Sequence, residues 1–196
     1  GTSIDIEPLF FTYQPGDLFV FLFTIGNDKF ANTPPDVTLE DMTYQTSGGN
    51  LAGGIYTRVA TDTEFTWTWT WTGFDHAMIR VLVIRDVVAY DVNTTTTPSA
   101  TLGTALSVVT TQPDAIVIRG CAVGNGTQDF STMPHTELSN DVYQDPNGQR
   151  LGTCRLDVAT PQTVPSADFT LDSSGNLLLF SLAFDATPVA ASTPMQ

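Results

Sequence analysis

Leu18-Phe-Val-Phe-Leu-Phe-Thr-Ile25 is apolar on both faces if it is extended. Phe19, Phe21 and Phe23 project to one side of such a strand, and Leu18, Val20 and Leu22 to the other. A half-exposed antiparallel strand alternates apolar with polar residues, so this one needs cover on two sides. Either a second layer of the same chain supplies it, or another subunit does.

Working outward, the run is preceded by the turn pair Pro15-Gly16, and the rest of the chain repeats its character. Strand-like segments recur at Ile4–Tyr13, Asp17–Ile25, Thr38–Thr46, Gly54–Ala60, Phe65–Trp71, Ala77–Ile84, Ser107–Thr110, Ala115–Val123, Arg150–Val158, Ala167–Leu171 and Leu177–Asp185. They are rich in Val, Ile, Thr, Phe and Trp and are bounded by turn residues such as Gly48-Gly49, Pro146-Asn147-Gly148 and Ser174-Gly175. No dozen residues place apolar side chains at three-to-four spacing. The expected fold is therefore all-β: an antiparallel β-sandwich, jelly-roll-like, built from two loosely similar strand sets.

The two sets show as an internal echo. Gly16-Asp17 opens LFVFLFTI, and Pro113-Asp114 opens AIVIRGCAV, 97 positions later (114 minus 17). The same shift carries Arg58 of YTRVAT onto Arg155 of TCRLDVAT, and sets RVLVIRDV from Arg80 against LLLFSLAF from Leu177. The expected organisation is an N-terminal arm or edge strand (1–14), a single sandwich domain (15–186, with a pseudo-repeat over 15–92 and 112–185) and an extended C-terminal tail (187–196). The Thr-rich stretch Asn93–Ala100 reads as the linker between halves. Two separate domains of about a hundred residues are the alternative.

The segment Thr63–Gly73, TEFTWTWTWTG, holds all three tryptophans of the chain, with Phe65, Trp67, Trp69 and Trp71 on one face and threonines on the other. Three exposed tryptophans would make a patch of about 500 Å², near the most a soluble monomer tolerates. Core packing is the leading reading. Trp67, Trp69 and Trp71, with Phe19, Phe21 and Phe23, are also the candidates for a subunit interface or a glycan platform.

Charge narrows the partners. Twenty-one acids face seven bases, for a net charge of -14, and such a surface should repel phosphate backbones. No nucleic-acid partner is expected. No apolar run has the length of a membrane-spanning helix, and the N-terminus lacks a basic region followed by an apolar one, so neither membrane insertion nor conventional secretion is expected. Cys121 and Cys154 are too few for a disulfide framework or a cysteine zinc site. Buried free thiols are the simpler reading, with one disulfide open if their strands are neighbours.

Catalytic chemistry has little to build on. His76 and His135 are the only histidines. Asp75-His76 lies between two strands and reads as a turn, not as part of a triad, and no G-x-S-x-G nucleophile motif accompanies it. Asp141, Asp145 and Asn147 have some alternate spacing, yet they lack the calcium-loop pattern and its distal Glu. No catalytic, cofactor-binding or metal-binding residue is expected.

In order, GDLFVFLFTIGND, TPPDVTLEDM, GGIYTRVATDTEFTWTW and AMIRVLVIRDV resemble a β-sandwich module of tailed-phage structural proteins. The likeness covers roughly 15–92 and, more loosely, 112–185. Such modules often carry Gly-Trp after the Pro-rich turn, where this chain has Asp36-Val37. The resemblance implies a non-enzymatic virion structural protein, a capsid decoration or cement subunit on the outer surface of a phage head. Its alternative is a tail-associated receptor-binding or carbohydrate-binding module. The implied partners are the major capsid protein or other virion proteins, copies of itself (a trimer by analogy) and, on the alternative, a host glycan.

Overall fold

The computed structural model describes residues 3–7, 12–26, 30–32, 34, 37–45, 51–61, 66–71, 77–124, 128–143 and 149–186. Fifteen strands and no helix are found among them. In the first half, β1 (Ser3–Ile6), β6 (Trp67–Trp71) and β3 (Phe30–Asn32) form a small sheet in the order β1-β6-β3. A larger sheet has the order β4-β5-β2-β7, from β4 (Thr38–Gln45), β5 (Leu51–Val59), β2 (Leu18–Gly26) and β7 (Ala77–Ile84). All these pairings are antiparallel, and the chain crosses repeatedly from one sheet to the other, a jelly-roll-like winding.

The second half repeats this plan. Its large sheet runs β12-β13-β10-β15, from β12 (Thr136–Tyr143), β13 (Gln149–Val158), β10 (Ala115–Gly124) and the later residues of β15 (Ala167–Ala186). The first residues of β15 pair with β11 (Phe130–Thr132) and with the end of β8 (Val87–Ala105), as β6 pairs with β3 and β1. A ribbon of β9 (Val108–Thr110) and β14 (Gln162–Val164) adds to this half. The antiparallel sandwich is thus present twice.

Register gives the true spacing of the repeat. The pair Phe21↔Tyr56 recurs as Arg119↔Cys154, 98 residues on, and Phe30↔Trp71 recurs as Phe130↔Leu171, 100 residues on. Both irregularities recur too: the β4 bulge between Leu39 and Asp41 returns in β12 between Glu137 and Ser139, and the shift at Phe30/Asn32 returns at Phe130/Thr132. Gly16 (φ 94°) and Asp114 (φ 57°) occupy equivalent left-handed turn positions, again 98 apart. The shift of 97 seen in the sequence therefore needs correcting. Side chains on a strand alternate with period two, so an odd shift in β2 and β10 would set core-facing residues against those of the opposite face.

Burial follows from this stacking. Phe19, Phe21 and Phe23 meet the tryptophans of β6 in one core. Leu18, Val20 and Leu22 meet Ile118, Leu178, Phe180 and Leu182 of the other large sheet in a second core. Cys121, Cys154, Phe169 and Leu179 centre a third, inside the second repeat. Both faces of β2 are thus covered within the chain, and its two-sided apolar pattern is no argument for a second subunit. The two large sheets approach closely because Gly53 carries no side chain: a Cβ there would lie 2.7 Å from Leu178 Cδ1 and 2.8 Å from the Phe23 carbonyl oxygen.

The stretch Asn93–Ala100 is not a linker. It belongs to β8, whose Val87–Thr97 portion pairs with Leu177–Ala186 of β15. Its threonines are β-branched and favour a strand once an apolar partner strand is available. Ser174-Gly175 likewise lies within β15, at a register shift and not at a chain reversal. Residues 1–2, 8–11 and the tail 187–196 lie outside the described residues, while Ser3–Ile6 is an edge strand on β6.

Candidate functional site

The tryptophan stripe is core. Trp67, Trp69 and Trp71 are 3%, 1% and 6% exposed, and Phe19, Phe21 and Phe23 are buried with them. Trp69 stacks on Phe23 at 5.2 Å and meets Tyr56 edge-on at 4.9 Å, while Phe21 packs edge-on to Trp67 at 5.1 Å. Faces occupied in this way leave no platform for a sugar ring or a partner surface. Outward threonines instead fasten β1 and the residue after it: Thr68 Oγ1 of β6 donates to Asp5 at 2.7 Å, and Thr66 Oγ1, just before β6, donates to Glu7 at 2.9 Å.

The second repeat holds its polar groups in a buried cluster. Arg119 is fully buried in mid-strand, and its guanidinium donates to the carbonyl oxygen of Leu106, to Ser181 Oγ at 2.5 Å and to the Pro165 carbonyl oxygen at 2.9 Å. Among the described residues its Nε has no hydrogen-bond partner. Burial lowers the Arg119 pKa, a shift that the nearby Cys154 opposes. Burial also lowers the His135 pKa, and the Arg119 charge adds to the effect, so this imidazole is neutral near pH 7.

Cys121 and Cys154 are both free and buried, although their strands are neighbours. Burial pushes the Cys121 thiol well up and the Cys154 thiol to about 11, against hydrogen bonds from the backbone of His135 and Arg119 that act the other way. Thiols held protonated at neutral pH are poor nucleophiles. The cluster is a structural strut that ties the β8–β9 and β14–β15 connections to β10.

One open cleft of about 600 Å³ lies where the first large sheet meets β8, lined by Leu18, Thr38, Glu40, Thr57, Val59 and Tyr90 among others. The bulge in β4 decides its chemistry, because one extra residue turns the consecutive acids Glu40 and Asp41 toward β8. Glu40 accepts from Tyr90 Oη at 2.8 Å and from Thr57 Oγ1. Asp41 Oδ2 accepts from the Thr94 backbone N–H at 2.6 Å and from Thr94 Oγ1 at 3.1 Å. Burial raises the Tyr90 pKa, so the phenol is a hydrogen-bond donor here and not a base. The cleft can hold a hydroxyl-bearing ligand, while its acids already clamp β4 to β8.

Sequence reasoning did not reach these groups. Arg119 had a signal, a charge in the middle of the apolar run AIVIRGCAV, which implies a buried, hydrogen-bonded guanidinium. Glu40 and Tyr90 had none, since their meeting depends on the bulge and on the pairing of β8 with β15. Asp75, His76, Asp145 and Asn147 lie outside the described residues, as does the Asp141 side chain. Among the described residues no group of three or more His, Cys, Asp or Glu could hold a metal ion. No helix of the described residues is long and apolar enough to cross a membrane. No family model matches the chain, nor does any curated protein or solved structure.

Proposed function

We propose that this protein is a non-enzymatic structural component of a virus particle, a decoration or cement subunit that binds the outer surface of a phage capsid and braces it. The observation that carries the reading is the stacking of two sandwiches through one shared apolar core, with Leu18, Val20, Leu22 and Ile55 of one repeat against Ile118, Leu178 and Phe180 of the other. A brace works by resisting deformation, and close-packed sheets resist it well. The net charge of -14 suits a surface that should adhere neither to nucleic acid nor to its neighbours. Resemblance to phage sandwich modules over 15–92 points the same way.

The test is the copy number of the polypeptide in purified particles, measured by quantitative mass spectrometry against the major capsid protein. A number comparable with that protein is the expected result. A few to a few tens of copies would move the protein to the tail, and absence from the particle would end the proposal. The tail-associated, sugar-binding alternative is favoured by one observation, the Tyr90 cleft with its hydroxyl and carboxylate lining. Under that reading Tyr90→Ala abolishes glycan binding without unfolding the chain.

A further inference from the structure

Glu40 lines the open cleft with half of its acceptor capacity in use. Tyr90 Oη and Thr57 Oγ1 both donate to Oε1, while Oε2 accepts from no described residue. No described base forms an ion pair with this carboxylate. The two donors fix it in place and fix the Tyr90 ring beside it. That ring meets the buried Phe184 at 6.4 Å on its inner side, yet it remains 40% exposed and lines the cleft. Leu18 and Val59, the latter 60% exposed, add an aliphatic wall.

We infer that this cleft is a docking pocket for an arginine side chain of a partner protein, with the guanidinium between Glu40 Oε2 and the Tyr90 ring and the aliphatic stem against Val59. A planar guanidinium both stacks on an aromatic face and donates to a carboxylate, and its stem covers apolar surface. Charge complementarity selects this occupant. The net charge of -14 draws cationic partners and repels anionic ones. Arg58 also borders the cleft, but successive residues of β5 point to opposite faces, so its side chain leaves the side that Thr57 and Val59 present, and it is not a free charge. The inference concerns the pocket itself and holds for a partner inside a virus particle or outside one.

The second repeat supplies the contrast. The bulge that presents Glu40 returns there, but Leu138 stands at the position of Glu40 and Arg155 at that of Thr57. The same backbone therefore carries an apolar residue and a base where the first repeat carries an acid and its hydroxyl donor. The pocket is made by these side chains and not by the fold alone, so the second repeat serves as an internal control.

NMR titration of the full chain with N-acetyl-arginine amide tests this. The Thr57, Val59 and Tyr90 amides should shift and saturate in the millimolar range, while Arg155 and Asp157, the equivalents of Thr57 and Val59, should not move. The uncharged citrulline analogue should bind the unaltered protein at least about fivefold more weakly. Glu40→Gln keeps an acceptor for Tyr90 and Thr57 but removes the charge, and it should weaken the arginine probe by a similar factor. Lack of saturable shifts, equal binding of the citrulline analogue, or undiminished binding to Glu40→Gln would overturn the proposal. So would saturation of the same amides by a methyl glycoside with no response to arginine, which would give the cleft to a sugar.

Discussion

At one position of the shared backbone the first repeat holds Phe21 and the second holds Arg119, each at the centre of its own sandwich. Around Phe21 stand Tyr56, Val81 and Trp69; around Arg119 stand Cys154 and Ser181, the equivalents of the first two. The first core is closed by aromatic rings, among them Phe21 at 5.6 Å from Trp69. The second closes around a guanidinium that reaches two backbone carbonyls and a serine hydroxyl. The same strand plan thus accepts either a dry, area-driven centre or a hydrogen-bonded one. The polar solution also fixes two connections that an apolar side chain could not hold.

The largest effects should come from emptying either centre. Trp69→Ala and Arg119→Ala should each cost about 3–5 kcal/mol in denaturant melts, the first through cavity and lost burial, the second through stranded carbonyls. The pair Arg119→Met with Ser181→Val carries the first repeat's solution into the second. It should recover only the part of the Arg119→Ala loss that comes from empty volume, because the Leu106 and Pro165 carbonyls are left without their donor in both variants. A double variant as unstable as Arg119→Ala would show that the strut, and not the filled volume, holds the second repeat.

Alkali should separate the two centres at equivalent positions. Burial raises Tyr56 from 10.0 to about 12 and Cys154 from 9.0 to about 11. Above its ordinary pKa each group ionises first in the unfolded chain, so its contribution is complete below that value and is lost as pH rises to the folded one. Stability should therefore fall from pH 9 to 11 through Cys154 and from pH 10 to 12 through Tyr56. In stability–pH curves, Cys154→Ala should lessen the limb that begins near pH 9, which the buried Cys121 thiol shares, and Tyr56→Phe should remove the later one. Unchanged curves would contradict the assigned burial.

A smaller contrast lies at the bulges. Asp41→Ala removes the carboxylate that clamps Thr94 of β8 and should cost about 1.5–3 kcal/mol. The equivalent Ser139→Ala removes a hydroxyl contact to Thr153, 2.8 Å long and within its own sheet, and should cost about 0.5–1.5 kcal/mol.

These contrasts show what a sequence pattern can carry. The two-sided run Leu18–Ile25 did report a strand covered twice, because the need for burial is written into the side chains themselves. The tryptophan stripe reported core for the same reason. The echo was legible but misplaced, by one residue in β2 and β10, where Gly16 and Asp114 share a turn conformation that their letters do not show, and by three in β7 and β15, where Arg80 matches Phe180. Strand β12, TELSNDVY, carries no apolar alternation because an edge strand has little apolar demand. The Asn93–Ala100 stretch reads as a linker because its threonines gain their partner only from β15, 86 residues away where Phe180 lies opposite Thr94 (180 minus 94). The cleft joins β2, β4, β5 and β8, and no local pattern could announce it.

The most direct test of the stacked double sandwich is equilibrium unfolding in urea followed by two reporters in one sample. All three tryptophans lie in the first repeat and both cysteines in the second, so tryptophan fluorescence and thiol reactivity read the halves separately. If the shared core of Leu18, Val20, Leu22, Leu178 and Phe180 joins them, both probes give one coincident transition. Two transitions with distinct midpoints would contradict the account and show two sandwiches that fold apart.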